Sequence, residues 1–443
     1  MFKTFRNALK IKDVRSKLLF TLICLIIVRI GCQLPVPEVD REYFQYWMTM
    51  QTGFGFLNTL TGGSFSQMSI FALNISPYIT SSIIMQLLTI AIPKLEEMQK
   101  DGESGRKKIA EWTRYVTIGL AVFESIMMTI GFHNSGLLEE GNLFLQICVI
   151  TASFTAGSAF LMWLGEQITE KGIGNGISVI LLINIVASLP TDFTGLYNQF
   201  IVGADNVVKA VIGAVIIIAV VVLLVVLVVL LHDATRKISV QYAKKMQGRK
   251  MVGGQSSHIP LKVNTAGVIP VIFASSLMQT PIIVSSLFGV YGSRGNAWEK
   301  FLYLMNQQNW CNFESWGEFK YTLGLLIYLA LLVFFAYFYT SVTFNPMEVA
   351  NNLKKQGGFI PGIRPGRPTT EYLSKVLNYI ILIGAVCLAI ISIIPIFFAG
   401  AFSASVSFGG TSIIIIVGVV LEIIRQVETM MRERHYKGFL SNE

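Results

Sequence analysis

Charged side chains are scarce in this sequence. Of its 443 residues only 14% are Asp, Glu, Lys or Arg, whereas 53% are hydrophobic and the mean hydropathy is +0.59. Soluble domains carry about 25% charged residues. The shortage excludes an ordinary soluble globular protein and predicts a chain that is embedded in a lipid bilayer.

Cysteine and histidine are too few and too dispersed to build a metal or redox site. The five cysteines form no CxxC pair, most of them lie in apolar runs, and the four histidines do not cluster. Cysteines in apolar runs usually serve as small buried hydrophobic residues. We therefore expect no metal and no other cofactor.

Catalytic motifs are missing as well. The sequence contains no HExxH, no GxSxG and no GxxxxGK[ST], and the basic turn 102–108 lacks the spacing of a phosphate-binding loop. The main charges inside apolar runs are Arg29, Glu124, Glu166 and Glu422, and most lie near predicted helix ends, where long side chains reach water. We expect no enzyme, and the lack of a charge relay at the midplane disfavours an ion-coupled transporter.

What the sequence has in abundance is apolar runs close to the length that crosses a bilayer, about 20 residues. The sixth run, 211–231, has no polar side chain and would face lipid on most sides. Other runs carry Ser, Thr, Asn, Gln and Gly, whose polar groups must face protein or water. We predict an all-α integral membrane protein with about ten transmembrane helices, at 18–36, 68–92, 114–133, 143–165, 175–190, 209–231, 266–290, 321–342, 376–399 and 409–425.

Ten spans can be divided into two halves of five. The N-terminal half would be residues 1–190 with spans 1–5, and the C-terminal half would be residues 191–443 with spans 6–10. Inverted repeats of this kind enclose a central cavity in many membrane proteins. The sequence permits two pseudo-symmetric inverted halves around a central pore without proving them.

Basic residues are distributed very unevenly between the segments that join the spans. With the N-terminus in the cytoplasm, the great majority of the 35 Lys and Arg fall in cytoplasmic segments. The positive-inside rule therefore favours both termini in the cytoplasm. The net charge of +9 is a signal of topology rather than of nucleic-acid binding.

Two of the predicted cytoplasmic loops, 232–265 and 343–375, are long and basic. One interpretation is ordinary retention of positive charge with contact to anionic lipid. The other is a docking surface for a cytosolic partner with acidic groups or RNA phosphates, which the loop length favours. The first loop contains Arg236, Lys237, Lys244, Lys245, Arg249 and Lys250, and the second contains Lys354, Lys355, Arg364 and Arg367.

Eight short motifs are distributed along nearly the whole chain. They are RIG at 29–31, PVP at 35–37, SPYITSSIIMQLLT at 76–89, GESGRKK at 102–108, GEQITEKGIGNGIS at 165–178, VNTAGVIP at 263–270, FIPGIRPGRPT at 359–369 and GGTS at 409–412. Each motif alone is weak, but together their order, spacing and placement resemble the SecY family. The resemblance implies a channel that passes unfolded polypeptides across the membrane and releases apolar helices sideways into lipid.

The resemblance also implies an hourglass pore narrowed by a ring of apolar side chains. A spacing of four residues within spans 2 and 5 places each pair of ring residues on one helical face. A tight apolar collar blocks ions, because it cannot replace their hydration shell. Matched motif by motif, the ring would consist of Ile79, Ile83, Ile177, Leu181, Ile272 and Ile415. Leu181 stands where many relatives have isoleucine.

The segment 53–67, which precedes the second span, is too short to cross the membrane and too apolar for a free loop. Its residues alone indicate an interfacial or re-entrant helix. The resemblance implies a plug that fills the external funnel and moves away when a substrate enters. The expected plug residues are Phe54, Phe56, Leu57, Leu60, Gly62 and Gly63.

A lateral gate and a docking arginine follow from the same resemblance. The gate would lie between spans 2 and 3 on one side and spans 7 and 8 on the other. Its polar lining would consist of Gln86, Thr89, Ser275, Ser276 and Gln279. Arg364 matches the loop arginine that relatives use for contact with the cytosolic motor or the ribosome.

The implied partners are the SecE and SecG membrane subunits, the SecA motor ATPase, the ribosome, signal-bearing polypeptides and membrane lipids. The implied location is the bacterial cytoplasmic membrane. The main alternative is a secondary transporter for a small solute, which the missing midplane charges and the long basic loops disfavour.

Overall fold

The computed structural model describes residues 10–50, 55–138, 141–202, 207–242, 245–247, 250–252, 256–287, 295–311, 322–401 and 410–440. The helices in these ranges are α1 (Lys12–Gly31), α2 (Arg41–Met50), α3 (Gly55–Thr61), α4 (Ser76–Ala91), α5 (Pro93–Lys100), α6 (Glu103–Asn134), α7 (Leu143–Lys171), α8 (Gly176–Tyr197), α9 (Val207–Asp233), α10 (Ile269–Leu287), α11 (Ala297–Met305), α12 (Leu323–Thr343), α13 (Pro346–Lys355), α14 (Arg367–Ala401) and α15 (Gly410–Leu440). The strands are β1 (Thr235–Tyr242), β2 (Lys245–Gln247), β3 (Lys250–Val252), β4 (Ser256–Lys262) and β5 (Gly358–Phe359).

The described part of the chain is a multi-pass helical membrane protein. Six of its helices are long and apolar enough to cross a bilayer, and α4 with α5 makes a seventh if the pair, bent by 105°, counts as one span. Three further predicted spans coincide with α1, α10 and α15, which fall outside that group. By length and hydropathy alone, the described residues thus contain six or seven of the ten predicted spans.

Helix α9 confirms the expectation of a mostly lipid-facing sixth span. Val211, Val215 and Ile218 are more than half exposed and recur at helical spacing on one face. The opposite face packs through Leu224 and Val228, which are buried. The exposed aliphatic stripe belongs in lipid, because water would penalise so much apolar surface.

The fifth span is longer than its sequence indicates. The predicted run ends at Pro190, but α8 continues through this residue to Tyr197, and a π-helical turn follows at Asn198–Val202. Proline removes one backbone donor and usually ends or kinks a helix. Helix α8 nevertheless accommodates Pro190 in its interior.

The two basic segments expected as loops contain β-structure, which the all-α prediction missed. Strand β1 pairs antiparallel with β4 along its length, and its end pairs with β5, with Gln241 opposite Phe359. Ile238 and Val240 point into a small apolar core shared with α13 and the start of α14. The described parts of the segments 232–265 and 343–375 therefore pack together at one end of the helix bundle, and we call them the basic domain.

Candidate functional site

An open cavity of about 410 Å³ lies among the helices at the end where α6 begins and α7 ends. We call it the vestibule; its walls come from α4, α6, α7, α8, α10 and α12. Four of the six expected ring residues line it, namely Ile79, Ile177, Leu181 and Ile272. The structure thus brings the ring positions of α4, α8 and α10 to one place.

The other two ring residues, Ile83 and Ile415, lie in the same apolar core. Ile83 is 7% exposed and Ile415 is 1% exposed, and both belong to the central cluster that also holds the other ring positions. The ring positions in this cluster come from four helices, α4, α8, α10 and α15. An arrangement of aliphatic side chains beside an open vestibule can form a constriction that excludes ions.

The turn between α7 and α8 sets the position of the α8 ring residues. The side chain of Asn175 caps α8 by accepting from the backbone N–H groups of Ile177 and Ser178, at 3.1 and 3.5 Å. A Cβ added at Gly176 would lie 1.8 Å from the Gly165 carbonyl oxygen, so only glycine allows this approach of α8 to α7. The ring face of α8 therefore starts from a rigid turn.

One ion pair lies on the vestibule wall. Arg114 Nε on α6 contacts Glu166 Oε1 on α7 at 2.7 Å, and both side chains are partly exposed. An exposed pair of this kind contributes at most about 1 kcal/mol. The pair makes the vestibule wall polar, whereas the ring below it is apolar.

The expected plug segment contains α3 and a turn that is held from two sides. Arg29 on α1 donates a hydrogen bond from Nη1 to the Gly62 carbonyl at 3.3 Å. Gly62 has a positive φ of 65°, and a Cβ there would lie 2.7 Å from the Asn184 carbonyl oxygen on α8. The segment is thus wedged between α1 and α8, and Gly62 is the point of closest approach.

Asparagines add further support to the plug segment. Asn74 Nδ2 donates to the Leu60 carbonyl at 2.9 Å, and Asn58 Oδ1 accepts from the Ser66 backbone N–H at 3.1 Å. Gly63 has open space around it, with no atom within 4 Å of an added Cβ. Of the other expected plug residues, Phe54 lies outside the described residues, and only the backbone of Phe56 and Leu57 is described, in α3.

The five expected gate residues do not converge on one place. Gln86 on α4 lines the vestibule, and its amide donates to Ser82 Oγ at 3.4 Å. Thr89 is buried and donates to the Gln86 carbonyl at 2.7 Å, within its own helix. Ser275 on α10 is fully buried and accepts from Gln307 Nε2 at 3.4 Å, next to α11.

Ser276 and Gln279, the remaining two, line a second and smaller cavity of about 120 Å³. It lies at the opposite end of α4, α6 and α10 from the vestibule, and we call it the gate cavity. Leu60 and Thr61 of the plug segment also line it. The walls of the gate cavity therefore come from the plug segment and from both sides of the expected gate.

Sequence reasoning missed the environment of Glu124. It lies well inside α6 and lines the gate cavity beside Phe123 and Met127. A glutamate in a long apolar run was the signal in the sequence. That signal does not show what surrounds the carboxyl group, because the cavity is also lined by α4 and α10, which are distant in sequence.

The expected docking residues belong to the basic domain as far as the structure describes them. Arg236 and Lys237 are exposed on β1, and Arg364 is exposed in the turn before α14, where its carbonyl accepts from Thr369 Oγ1 at 2.8 Å. Lys245 and Lys250 begin the short paired strands β2 and β3, of which only the backbone is described. Lys244 and Arg249 lie outside the described residues.

Several long apolar helices, with core aliphatic residues gathered beside an open vestibule, are the features expected of a membrane channel. The model of the SecY family matches residues 69–424. The protein translocase subunit SecY of Bacillus subtilis is 43% identical to this chain in an alignment that covers 100% of both. This chain belongs to the SecY family and is a subunit of a protein translocation channel.

Two solved structures share the fold. A protein-conducting channel matches with a TM-score of 0.62 and 19% identity over 95% of this chain and 92% of that one. Sec61 in a canine ribosome–channel complex matches with a TM-score of 0.58 and 17% identity over the same shares. The family has the role of a channel subunit and not of an enzyme, and the small-solute transporter is not favoured.

Proposed function

We propose that this chain is the pore subunit through which unfolded secretory polypeptides cross the bacterial cytoplasmic membrane. The same subunit would release membrane segments sideways into the lipid. The observation that carries the proposal is the convergence of Ile79, Ile177, Leu181 and Ile272 on one vestibule, with Ile83 and Ile415 in the same core.

The ring acts as a seal that does not select among sequences. Aliphatic side chains offer no directional hydrogen bonds, so they accommodate any passing peptide while they exclude hydrated ions. Their positions on α4, α8, α10 and α15 let the opening widen when these helices shift. The closed form is supported by the burial of Ile83 and Ile415.

The plug segment, 53–67, closes the far side of the ring in the resting channel. Its supports are few, and they include the hydrogen bond from Arg29 to Gly62 and that from Asn74 to Leu60. A net contribution of about 1 kcal/mol is typical of the amide bond, and about 1.5–3 kcal/mol is typical of the bond from the charged guanidinium. An entering polypeptide can therefore displace the segment at modest cost.

The lateral gate is the seam between α4 and α6 on one side and α10 on the other, with Gln86, Thr89, Ser275, Ser276 and Gln279 as its polar residues. Helix α10 has many more contacts with α12 than with α4. A signal helix can replace the weak α4–α10 packing with its own apolar face, which shifts the balance towards the open seam.

The basic domain is the docking surface on the cytoplasmic side. Exposed Arg236, Lys237 and Arg364 suit a partner that carries carboxylates or RNA phosphates. We propose the SecA motor and the ribosome as these partners, SecE and SecG as the stable membrane subunits, and anionic lipid as an additional contact. The energy for transport comes from the partner.

The topology completes the proposal. Ten spans, in halves 1–190 and 191–443, would surround the pore with both termini in the cytoplasm. The uneven distribution of the 35 Lys and Arg supports this orientation, and the position of the basic domain at one end of the bundle agrees with it.

Reconstitution tests the proposed function. Proteoliposomes that contain this chain with SecE, supplied with SecA and a signal-bearing preprotein, should import the preprotein only when ATP is present. Vesicles that lack this chain serve as the control. No import, combined with accumulation of a small solute, would contradict the proposal.

A further inference from the structure

The gate cavity contains a carboxylate that the transport mechanism above does not use. Glu124 on α6 lines this cavity of about 120 Å³. Within the described residues, its carboxylate has no hydrogen bond and no ion pair. Most of the surrounding lining is apolar and includes Phe123, Met127 and Ile283. A carboxylate in such a place is poorly solvated and attracts any group that can neutralise it.

Three other polar side chains of the cavity offer lone pairs beside this carboxylate. Gln279 is 3% exposed, and its Oε1 has no hydrogen-bond partner in the described part of the chain. Thr80 Oγ1 donates to the Ser76 carbonyl at 3.1 Å, and Thr280 Oγ1 donates to the Ser276 carbonyl at 2.8 Å. Since both hydroxyl hydrogens are engaged, these oxygens offer only lone pairs to the cavity.

A set of acceptors around a single carboxylate fits a cationic donor. A lysine ammonium brings three N–H groups and an arginine guanidinium brings five, and neither accepts a hydrogen bond. Anions are disfavoured, because the Glu124 carboxylate repels them in these apolar surroundings. The ligand class is therefore an alkylammonium or guanidinium group on an apolar stem.

The acceptors lie on both sides of the seam that the proposed gate would open. Thr80 is on α4, Glu124 is on α6, and Gln279 is on α10, so a helix that enters the seam passes between them. We propose that the gate cavity binds one Lys or Arg side chain of a polypeptide segment held in the gate, with Glu124 as its principal acceptor. This inference rests on the proposed gate function and makes Glu124 a specificity-determining residue for membrane insertion.

The test uses the complete channel complex in inverted membrane vesicles. Model segments of leucine and alanine, each with a single Lys moved stepwise along the helix, are compared in wild type, Glu124→Gln and Glu111→Gln. Glu111 is a suitable control, because it is an exposed glutamate on the same helix and does not line the gate cavity. The measured quantity is the ratio of inserted to translocated segment.

With the wild type, we expect one window of Lys positions with enhanced insertion. Glu124→Gln should lower the insertion ratio in that window by about tenfold, as the loss of one charge-assisted hydrogen bond predicts. Glu111→Gln should leave the ratio unchanged, and Glu124→Asp should retain part of the effect. Segments without Lys should insert equally well in wild type and Glu124→Gln.

Two outcomes would overturn the inference. In one, Glu124→Gln has no effect at any Lys position. In the other, it lowers the insertion of Lys-containing and Lys-free segments alike, which shows a merely structural role. Failure of Lys-free segments to insert through the wild-type channel would instead contradict the proposed function, so the two failures are distinguishable.

Discussion

Arg29 and Gly62 fix one point of the plug segment by a contact that allows little variation. The guanidinium donates to the Gly62 carbonyl at 3.3 Å, and the glycine lies against the backbone of Asn184. A positive φ of 65° at Gly62 further restricts this position to glycine. The closed position of the plug segment thus depends on two residues that no other amino acid replaces with the same geometry.

Replacement of Arg29 should loosen the plug segment. Arg29→Ala removes a charge-assisted hydrogen bond of about 1.5–3 kcal/mol, so the closed channel should leak. Ion conductance of the purified complex in planar bilayers measures the effect. Arg106→Ala, which removes an exposed arginine of α6, is the control and should conduct like the wild type. Equal conductance for both variants would show that Arg29 does not stabilise the closed channel.

Polar substitution within the ring should have a similar result for a different reason. Ile83→Asn places an amide among aliphatic side chains, where an unsatisfied polar group costs about 1–3 kcal/mol, and water around it favours the wetted pore. We expect export of substrates with weak signal sequences and a measurable ion leak. Ile83→Val keeps the site apolar and serves as the control. Unchanged export and conductance in Ile83→Asn would contradict a ring position.

Spacing within a helix predicts which residues share a face, and this is why the ring residues could be named from the sequence with the help of a family resemblance. Ile79 and Ile83 indeed lie in one core with Leu181. The surroundings of Glu124 and Arg29 could not be predicted, because they depend on helices that are distant in sequence. Ser275 and Gln86 face different surroundings, so the common role of the gate residues stays a prediction.

Among the elements, the α7–α8 turn and the basic domain decide how the site is built. The turn brings the backbone of Gly176 against that of Gly165, and it thereby sets the ring face of α8. The alternation of Ile238 and Val240 in β1 was the sequence signal for the missed sheet. The partner strand β5 lies more than 100 residues away, so pattern alone could not reveal the pairing.

The α7–α8 turn gives a stability prediction with a matched control on the same helix. Gly176→Ala forces a Cβ to 1.8 Å from a backbone oxygen, which should cost at least about 1–3 kcal/mol. Gly195→Ala has open space and helical backbone, so it should be neutral or stabilise by up to about 1 kcal/mol. Thermal unfolding in detergent compares the two. A lower Tm for Gly195→Ala than for Gly176→Ala would contradict the close approach.

The basic domain gives a prediction about docking. Arg364→Glu reverses one exposed charge without disturbing the apolar core around Ile238, so the channel should assemble normally. Motor-driven export should fall several-fold, whereas Lys107→Glu, an exposed reversal on α6, should leave it unchanged. Export kinetics with increasing SecA measure the effect. Normal rates for Arg364→Glu at every SecA concentration would exclude its docking role.

At the scale of the whole molecule, the apolar exterior and the basic end together define a channel with a direction. The stripe of exposed valines and isoleucines on α9 faces lipid, and the ring lies at the centre of the bundle. We propose that the basic domain marks the entrance, because its exposed cations would attract the partner that delivers the polypeptide. A multi-pass helical membrane protein could be predicted from composition, while the sheet and both cavities required the structure.

The most direct test is to find where a polypeptide passes. A photoreactive residue is placed at position 83, 415 or 218 of the chain, and a preprotein is arrested during translocation. Ile83 and Ile415 are ring positions, whereas Ile218 is exposed on the lipid-facing side of α9. We predict that positions 83 and 415 crosslink to the preprotein and that position 218 does not. Crosslinks from 218 with none from the ring positions would contradict a central apolar pore.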